Sequence, residues 1–257
     1  MVTTIELDAE KYNEFLRCLI NLREICNDID IRGGVIRQRS NDLTAIFELD
    51  MTPLLRDVNL PISNLKKKLD LLKTFVGQVV NIEIFEGENE SESYFIISDA
   101  QSSIKIAFPS LDFLDNKYLT EEELVEIFNL EEDDLFFHTN LSSVITERIN
   151  IITTNFNTQA IKVEFEGDTA AISAATQSKD QVAKFQEDIS TNINFEGKYF
   201  SNLSTIPFSI EHDEDLEFRM YKDPNQNISL NNIKTQLGQV DISIFSRSTL
   251  IEDSDED

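Results

Sequence analysis

The sequence predicts an α+β protein of two similar domains, each with antiparallel sheets and two helices. Three observations carry that prediction. Short apolar runs of strand length dominate the chain, and few segments show a helical stripe. The order of elements in residues 1–108 recurs in residues 135–251. Hydrophobic residues make up 40% of the 257 positions, with 18 Phe but only seven Gly, which suits packed sheets and not a glycine-rich phosphate-binding enzyme.

The first half begins with a short strand over residues 3–7. Asp8 then reads as a helix N-cap, with Glu10 in the first turn. Tyr12, Phe15, Leu16 and Leu19 fall at i, i+3, i+4 and i+7, one apolar face. Glu10, Glu14, Arg17 and Asn21 are expected on the other. Asp28–Arg32 and Val35–Arg39 form a hairpin across Gly33–Gly34. Ser40–Asn41–Asp42 is a turn, and Leu43–Asp50 the next strand. A second helix is expected over Ser63–Val76, capped by Ser63 and stopped at Gly77. Its stripe is Leu65, Leu69, Leu72 and Val76. Lys67, Asp70 and Thr74 lie opposite, with Lys66 and Lys73 on one flank and Lys68 on the other. Strands Gln78–Phe85, Ser93–Ser98 and Ser103–Phe108 close this half.

Residues 109–134 hold ten acids and one Lys, interleaved with Phe113, Leu114, Leu119, Leu124, Ile127, Phe128 and Leu130. They read as a connector with some helical content. In the second half, Leu135–Thr139 is a strand and Ser142–Phe156 a helix. Ala160–Glu166 and Thr169–Ala174 are expected to form a hairpin around Gly167–Asp168, followed by a strand over Val182–Asp188. A weak second helix is expected near Lys198–Leu203. Strands Glu214–Tyr221, Ile228–Gln236 and Val240–Ser246 follow, then an acidic tail, 252–257, expected to be disordered.

The net charge is -26. Residues 1–80 carry 11 Lys/Arg against 12 Asp/Glu, whereas residues 81–257 carry 11 against 36. Positive charge is therefore concentrated early on an otherwise acidic chain. A local basic face still holds phosphate, because screening confines each exposed charge to about 8 Å at physiological salt. Two cysteines, Cys18 and Cys26, make no disulfide framework and point to a reducing compartment. No secretion signal or membrane-spanning run is read.

No catalytic constellation is present: no Walker loop, no GxSxG and no CxxC pair. The only histidines are His138, in an apolar strand, and His212, in the acidic loop EHDED. A metal site at His212, Asp213 and Asp215 is the rival to a solvated turn, and the turn is the ordinary reading. No catalytic residue, metal or cofactor is assigned.

The run IDIRGGVIRQRSNDLTAIFELDM, Ile29–Met51, resembles the early hairpin of PCNA-like DNA sliding clamps, where a GV…Q…D…V.L..L pattern follows the first lumen helix. The ending IFSRSTLIEDSDED resembles the clamp C-terminus, in which the last strand runs into an acidic tail. The poor last helix of the second half is similar in organisation to the clamps of T-even-type phages. The resemblance implies a DNA-clamp fold, with helices lining the hole and sheets forming the wall of a closed homotrimeric ring. It also implies a non-enzymatic processivity factor that encircles double-stranded DNA without sequence preference. The partners it implies are a DNA polymerase, a clamp-loader ATPase and peptide-motif replication proteins.

On that resemblance, the DNA-facing residues are Lys11 and Arg17 on the first helix, and Lys66, Lys67, Lys68 and Lys73 on the second. Arg148 and Lys198 are their counterparts in the second half. A pocket for a partner peptide is expected at Leu43, Ala45, Leu119, Leu124 and Phe245. The location implied is the cytoplasm, that of the host for a phage protein, or the nucleus for a eukaryotic or nuclear-virus one. Two other classes compete: an acidic β-rich structural protein and a DNA-mimic inhibitor. A mimic needs no basic helix, so the lysines at 66–73 oppose it.

Overall fold

The computed structural model describes residues 2–23, 25–87, 92–109, 114, 118–128, 130–155, 160–175, 184–205, 208, 210–222 and 227–252. The chain divides into two compact units. The first is Met1–Thr120 with Gln236–Ile242, and the second is Glu121–Thr235 with Ser243–Asp257.

In the first unit, β1 (Val2–Leu7) leads into α1 (Ala9–Arg23). Asp8 caps that helix as the sequence predicts, its Oδ1 accepting the Lys11 backbone N–H at 2.8 Å. Tyr12, Phe15, Leu16 and Leu19 are all buried. The next strands are β2 (Ile29–Arg32), β3 (Val35–Arg39) and β4 (Ala45–Asp50). Gly33 and Gly34 have φ of 59° and 77°. Positive φ at both central positions is what a two-residue turn with the right twist requires.

Two elements were not foreseen: α2 (Thr52–Leu55), with proline in its first turn, and β5 (Leu60–Ile62), which pairs with β2. The second long helix, α3, covers Leu65–Leu72 and tightens into a 3₁₀ turn over Lys73–Phe75. It is shorter than expected, and its cap differs. Asn64, in the left-handed region with φ 50°, holds the N-cap position in place of Ser63. The tightened last turn also rotates the stripe. Phe75 is fully buried at its end, whereas Val76 is 52% exposed. Gly77, at φ 77°, ends the segment as expected.

Helices α1 and α3 pack together through Tyr12. Its ring meets Phe75 edge-on at 6.4 Å, and its hydroxyl donates to the Leu72 carbonyl at 2.7 Å. Burial pushes that hydroxyl's pKa well up. Strands β6 (Val80–Phe85), β7 (Tyr94–Ser98) and β8 (Ser103–Ala107) complete a sheet of order β1-β6-β7-β8. Its inner face is Ile5, Leu7, Val80, Ile82, Ile84, Phe95, Ile97 and Ile106, alternating as a one-sided sheet demands. The other strands of this unit run in the order β5-β2-β3-β4. Part of the turn between β6 and β7 lies outside the described residues.

The second unit opens with α4 (Glu121–Ile127), a 3₁₀ turn over Glu132–Asp134, β9 (Leu135–Leu141) and α5 (Ser143–Asn155). Phe113, and Phe156 at the expected end of α5, lie outside the described residues. The expected hairpin at 160–174 is not formed. Ala160–Ala175 is one continuous strand, β10, paired with the long β11 (Lys184–Ser204). Gly167, at φ 59°, makes a register break in the ladder, with shifts on either side of it. The expected weak helix at Lys198–Leu203 is likewise strand, the last third of β11. Its pairing with β10 and, at Tyr199–Ser201, with β14 overrides a weak local preference.

Strands β12 (Leu216–Lys222), β13 (Ile228–Leu237) and β14 (Val240–Glu252) finish the chain. β14 runs six residues beyond the predicted end, and residues 253–257 of the expected tail lie outside the described residues. Phe165 anchors the core of this unit, 5.5 Å from Phe136 and 5.4 Å from Phe137, which in turn meets Phe218 at 5.6 Å.

Candidate nucleic-acid interface

Helix α3 carries Lys66, Lys67 and Lys68 in its first turn and the 3₁₀ turn after it adds Lys73, while Leu65, Leu69 and Leu72 on the other side are fully buried. Lys66, Lys67 and Lys73 are exposed, and so are Asp70 and Thr74 between them. Among the described residues, none of these three lysines enters an ion pair. Lys68 differs. It is half-buried, its Nζ donates to Ser63 Oγ at 3.1 Å, and burial lowers its pKa while Asp28 opposes the shift. On the neighbouring α1, Lys11 and Arg17 are both half-buried. Glu14 departs from its expected outward place. It is only 7% exposed and accepts the Gln239 backbone N–H, lying against Gly238.

The residues singled out in the second unit have other surroundings. Arg148 is exposed on α5 beside Glu147, with Val144 and Ile151 at 55% and 51% exposure on the same side. Lys198 projects from β11, not from a helix, and its Nζ lies 2.6 Å from Glu164 Oε1. Lys162 reaches the same carboxylate at 2.9 Å, and the two lysines hold Glu164 below the usual carboxylate range.

The expected peptide-pocket residues also sort by exposure. In the first unit, Leu43 is 73% exposed with φ 61°, at the tip of the β3–β4 turn. That turn is tied by Asp42 Oδ1, which accepts from Ser40 Oγ at 2.6 Å and Thr44 Oγ1 at 2.9 Å. Ala45 and Leu119 are buried, and the Leu119 N–H donates to the Arg37 carbonyl at 2.9 Å. In the second unit, Leu124 is buried and Phe245 lies 5.4 Å from Phe128.

Three contributors were missed from sequence. Gln38, 1% exposed, uses its amide to bridge β2: Nε2 donates to the Asp28 carbonyl at 2.6 Å and Oε1 accepts the Asp30 N–H at 3.1 Å. The Arg32 guanidinium stands 4.4 Å over the ring of the connector residue Tyr118. Arg247 covers Phe128 at 5.5 Å and donates to the Ile127 carbonyl at 2.5 Å. Gln38 lies between Arg37 and Arg39, so only the Q of the GV…Q…D pattern marked it, and the two arginines gave no signal. The histidines are engaged locally: His138 Nε2 lies 3.2 Å from Glu217, and His212 Nδ1 lies 2.6 Å from the Glu214 carbonyl.

No family model matches the chain, and no curated protein does. Solved structures match it over nearly all its length. A chain of the PCNA2–PCNA3 complex from Sulfolobus tokodaii aligns with 96% of this chain and 99% of its own, at 13% identity and a TM-score of 0.58. PCNA from Thermococcus kodakaraensis aligns over 96% and 99%, at 9% identity and 0.62. Proliferating cellular nuclear antigen from Entamoeba histolytica aligns over 96% and 98%, at 13% identity and 0.60. The chain therefore has the PCNA-like clamp fold. Among the described residues, no helix is long and apolar enough to cross a membrane.

Proposed function

We propose that this protein is a DNA sliding clamp, a non-enzymatic processivity factor that encircles duplex DNA and tethers a polymerase to it. The observation that carries the proposal is a clamp fold spanning 96% of the chain, with three exposed, unpaired lysines on one of its helices. The domains of this reading are 1–108 and 135–251, joined by the connector 109–134. Three copies join head to tail, a heterologous contact that closes into a ring. The loader is an ATPase, and the cellular site is cytoplasm or nucleus. The kinship in organisation with T-even-type phage clamps belongs to the same reading. It is supported by the absence of a second helix at 198–203 in the second half.

A tether must hold DNA without fixing its register. Phosphate contacts position a protein but carry no base information, so lysines on long mobile stems suit the task. Lys66, Lys67 and Lys73 do this work. The negative charge elsewhere repels DNA from the outside, and topology supplies the residence time. Of the expected peptide-pocket residues, Leu43 is the one on the surface of the first unit, where a partner peptide would first dock.

The test is topological. With its loader, the protein should be retained on nicked circular DNA and lost when the circle is cut. Light scattering should give a trimer, three times 29.5 kDa. A monomer that binds basic proteins and never DNA would instead make it a DNA mimic.

A further inference from the structure

Asp70 stands inside the lysine face of α3. It follows Lys66 by four residues and Lys67 by three, and precedes Lys73 by three. At 3.6 residues per turn it lies about 40° from Lys66 and about 60° from Lys67 around the helix axis. It is exposed, as are all three lysines. Among the described residues it enters no ion pair with any of them.

Nor does the helix need it. Asp70 falls in the last turn of α3, where the exposed carbonyls carry partial negative charge and a carboxylate is unfavourable. It caps nothing. The ordinary alternative, surface pairing with Lys66 or Lys73, is worth only about 0.2–0.5 kcal/mol even when closed. Its charge has another consequence. Screening lets its charge act over about 8 Å at physiological salt, so a phosphate seated among neighbouring lysines on the same helix face feels it.

We propose that Asp70 weakens the phosphate grip of Lys66, Lys67 and Lys73, keeping the protein mobile along duplex DNA. The inference rests on the clamp reading and assigns one more residue to it. A face of three lysines alone would hold each passing phosphate more tightly at every copy of the subunit. The carboxylate lowers the local potential without removing the lysines that center the duplex.

The test is direct association of the full-length protein with a labelled linear duplex, across a salt series, where no topological retention contributes. Asp70→Asn should tighten association roughly 3- to 10-fold at low salt, with the gain shrinking as salt rises. The triple variant K66E/K67E/K73E should weaken it. Asp70→Asn that binds like wild type while the triple variant binds worse overturns the role of Asp70 and leaves the clamp reading standing. Wild type that fails to bind the linear duplex at any salt, with the triple variant no different, overturns the role of Asp70, while the clamp reading stands or falls on retention by circular DNA. Circular dichroism melting is read in parallel, with Asp70→Ser as a second variant. Lower melting in both without tighter binding would make Asp70 a helix-stabilising residue and sink the proposal.

Discussion

Helices α3 and α5 occupy different units, and their exposed faces differ in chemistry. On α3 every buried position is Leu and the outward side is lysine-rich. On α5 the polar residues Thr146 and Thr153 are buried at 2% and 6%, while Val144 and Ile151 face out. Both threonine hydroxyls donate to carbonyls of their own helix, Thr146 to Ser143 at 3.0 Å and Thr153 to Asn150 at 3.1 Å. A back-bonded threonine presents mainly its methyl group, so it fills a core position that a hydropathy pattern awards to isoleucine. The comparison teaches that burying one face of a helix does not dictate the chemistry of the other. Among the described residues, the exposed helical lysines that enter no ion pair, Lys66, Lys67 and Lys73, lie in the first unit.

The largest effect expected from breaking this asymmetry lies in the second unit's core. Phe165→Ala removes a fully buried ring between Phe136 and Phe137 and should cost about 3–5 kcal/mol in urea denaturation. In the first unit, Tyr12→Phe leaves the Leu72 carbonyl without its partner and should cost about 1–2 kcal/mol, read the same way.

The surface residues invert the ranking. K66E/K67E/K73E should change stability by only about 0.5 kcal/mol per site, yet strongly weaken duplex association. Arg148→Glu should reduce association much less, and a reduction as large as that of the triple variant would erase the contrast between the units. The smallest effect is at Glu164. Lys198 and Lys162 depress its pKa in the folded state. Its stabilising contribution is therefore present at neutral pH and is lost as pH falls through the carboxylate range toward the depressed value. For so exposed a cluster this is about 0–1 kcal/mol. Glu164→Gln should lower melting slightly at pH 7 and not at all in strong acid, and equal lowering at both would show that packing, not charge, is at stake.

What could be read from sequence was local. The Asp8 cap, the Gly33–Gly34 turn and the burial of Tyr12, Phe15, Leu16 and Leu19 depend on neighbours within one turn of helix or one hairpin. What could not be read depends on distant partners. Gly167–Asp168 carries the signal of a hairpin turn, but a register break uses the same backbone freedom, and only the ladder with β11 tells them apart. Residues 198–203 have weak preferences that strand pairing decides. The exposure of the lysines at 66, 67 and 73 was legible from the helical stripe, while the pairing of Lys198 with Glu164 required the fold.

The contact between Glu14 and the Gly238–Gln239 turn joins residues 225 positions apart in sequence. It seals the first unit with a piece of chain from near the other terminus. On a ribosome, residues 1–120 emerge early but wait for Gln236–Ile242 before their unit is whole. The N-terminal half is thus the first made and among the last finished. A chain cut short before residue 236 would lack this closing turn, leaving the Glu14 carboxylate without the Gln239 backbone N–H that donates to it.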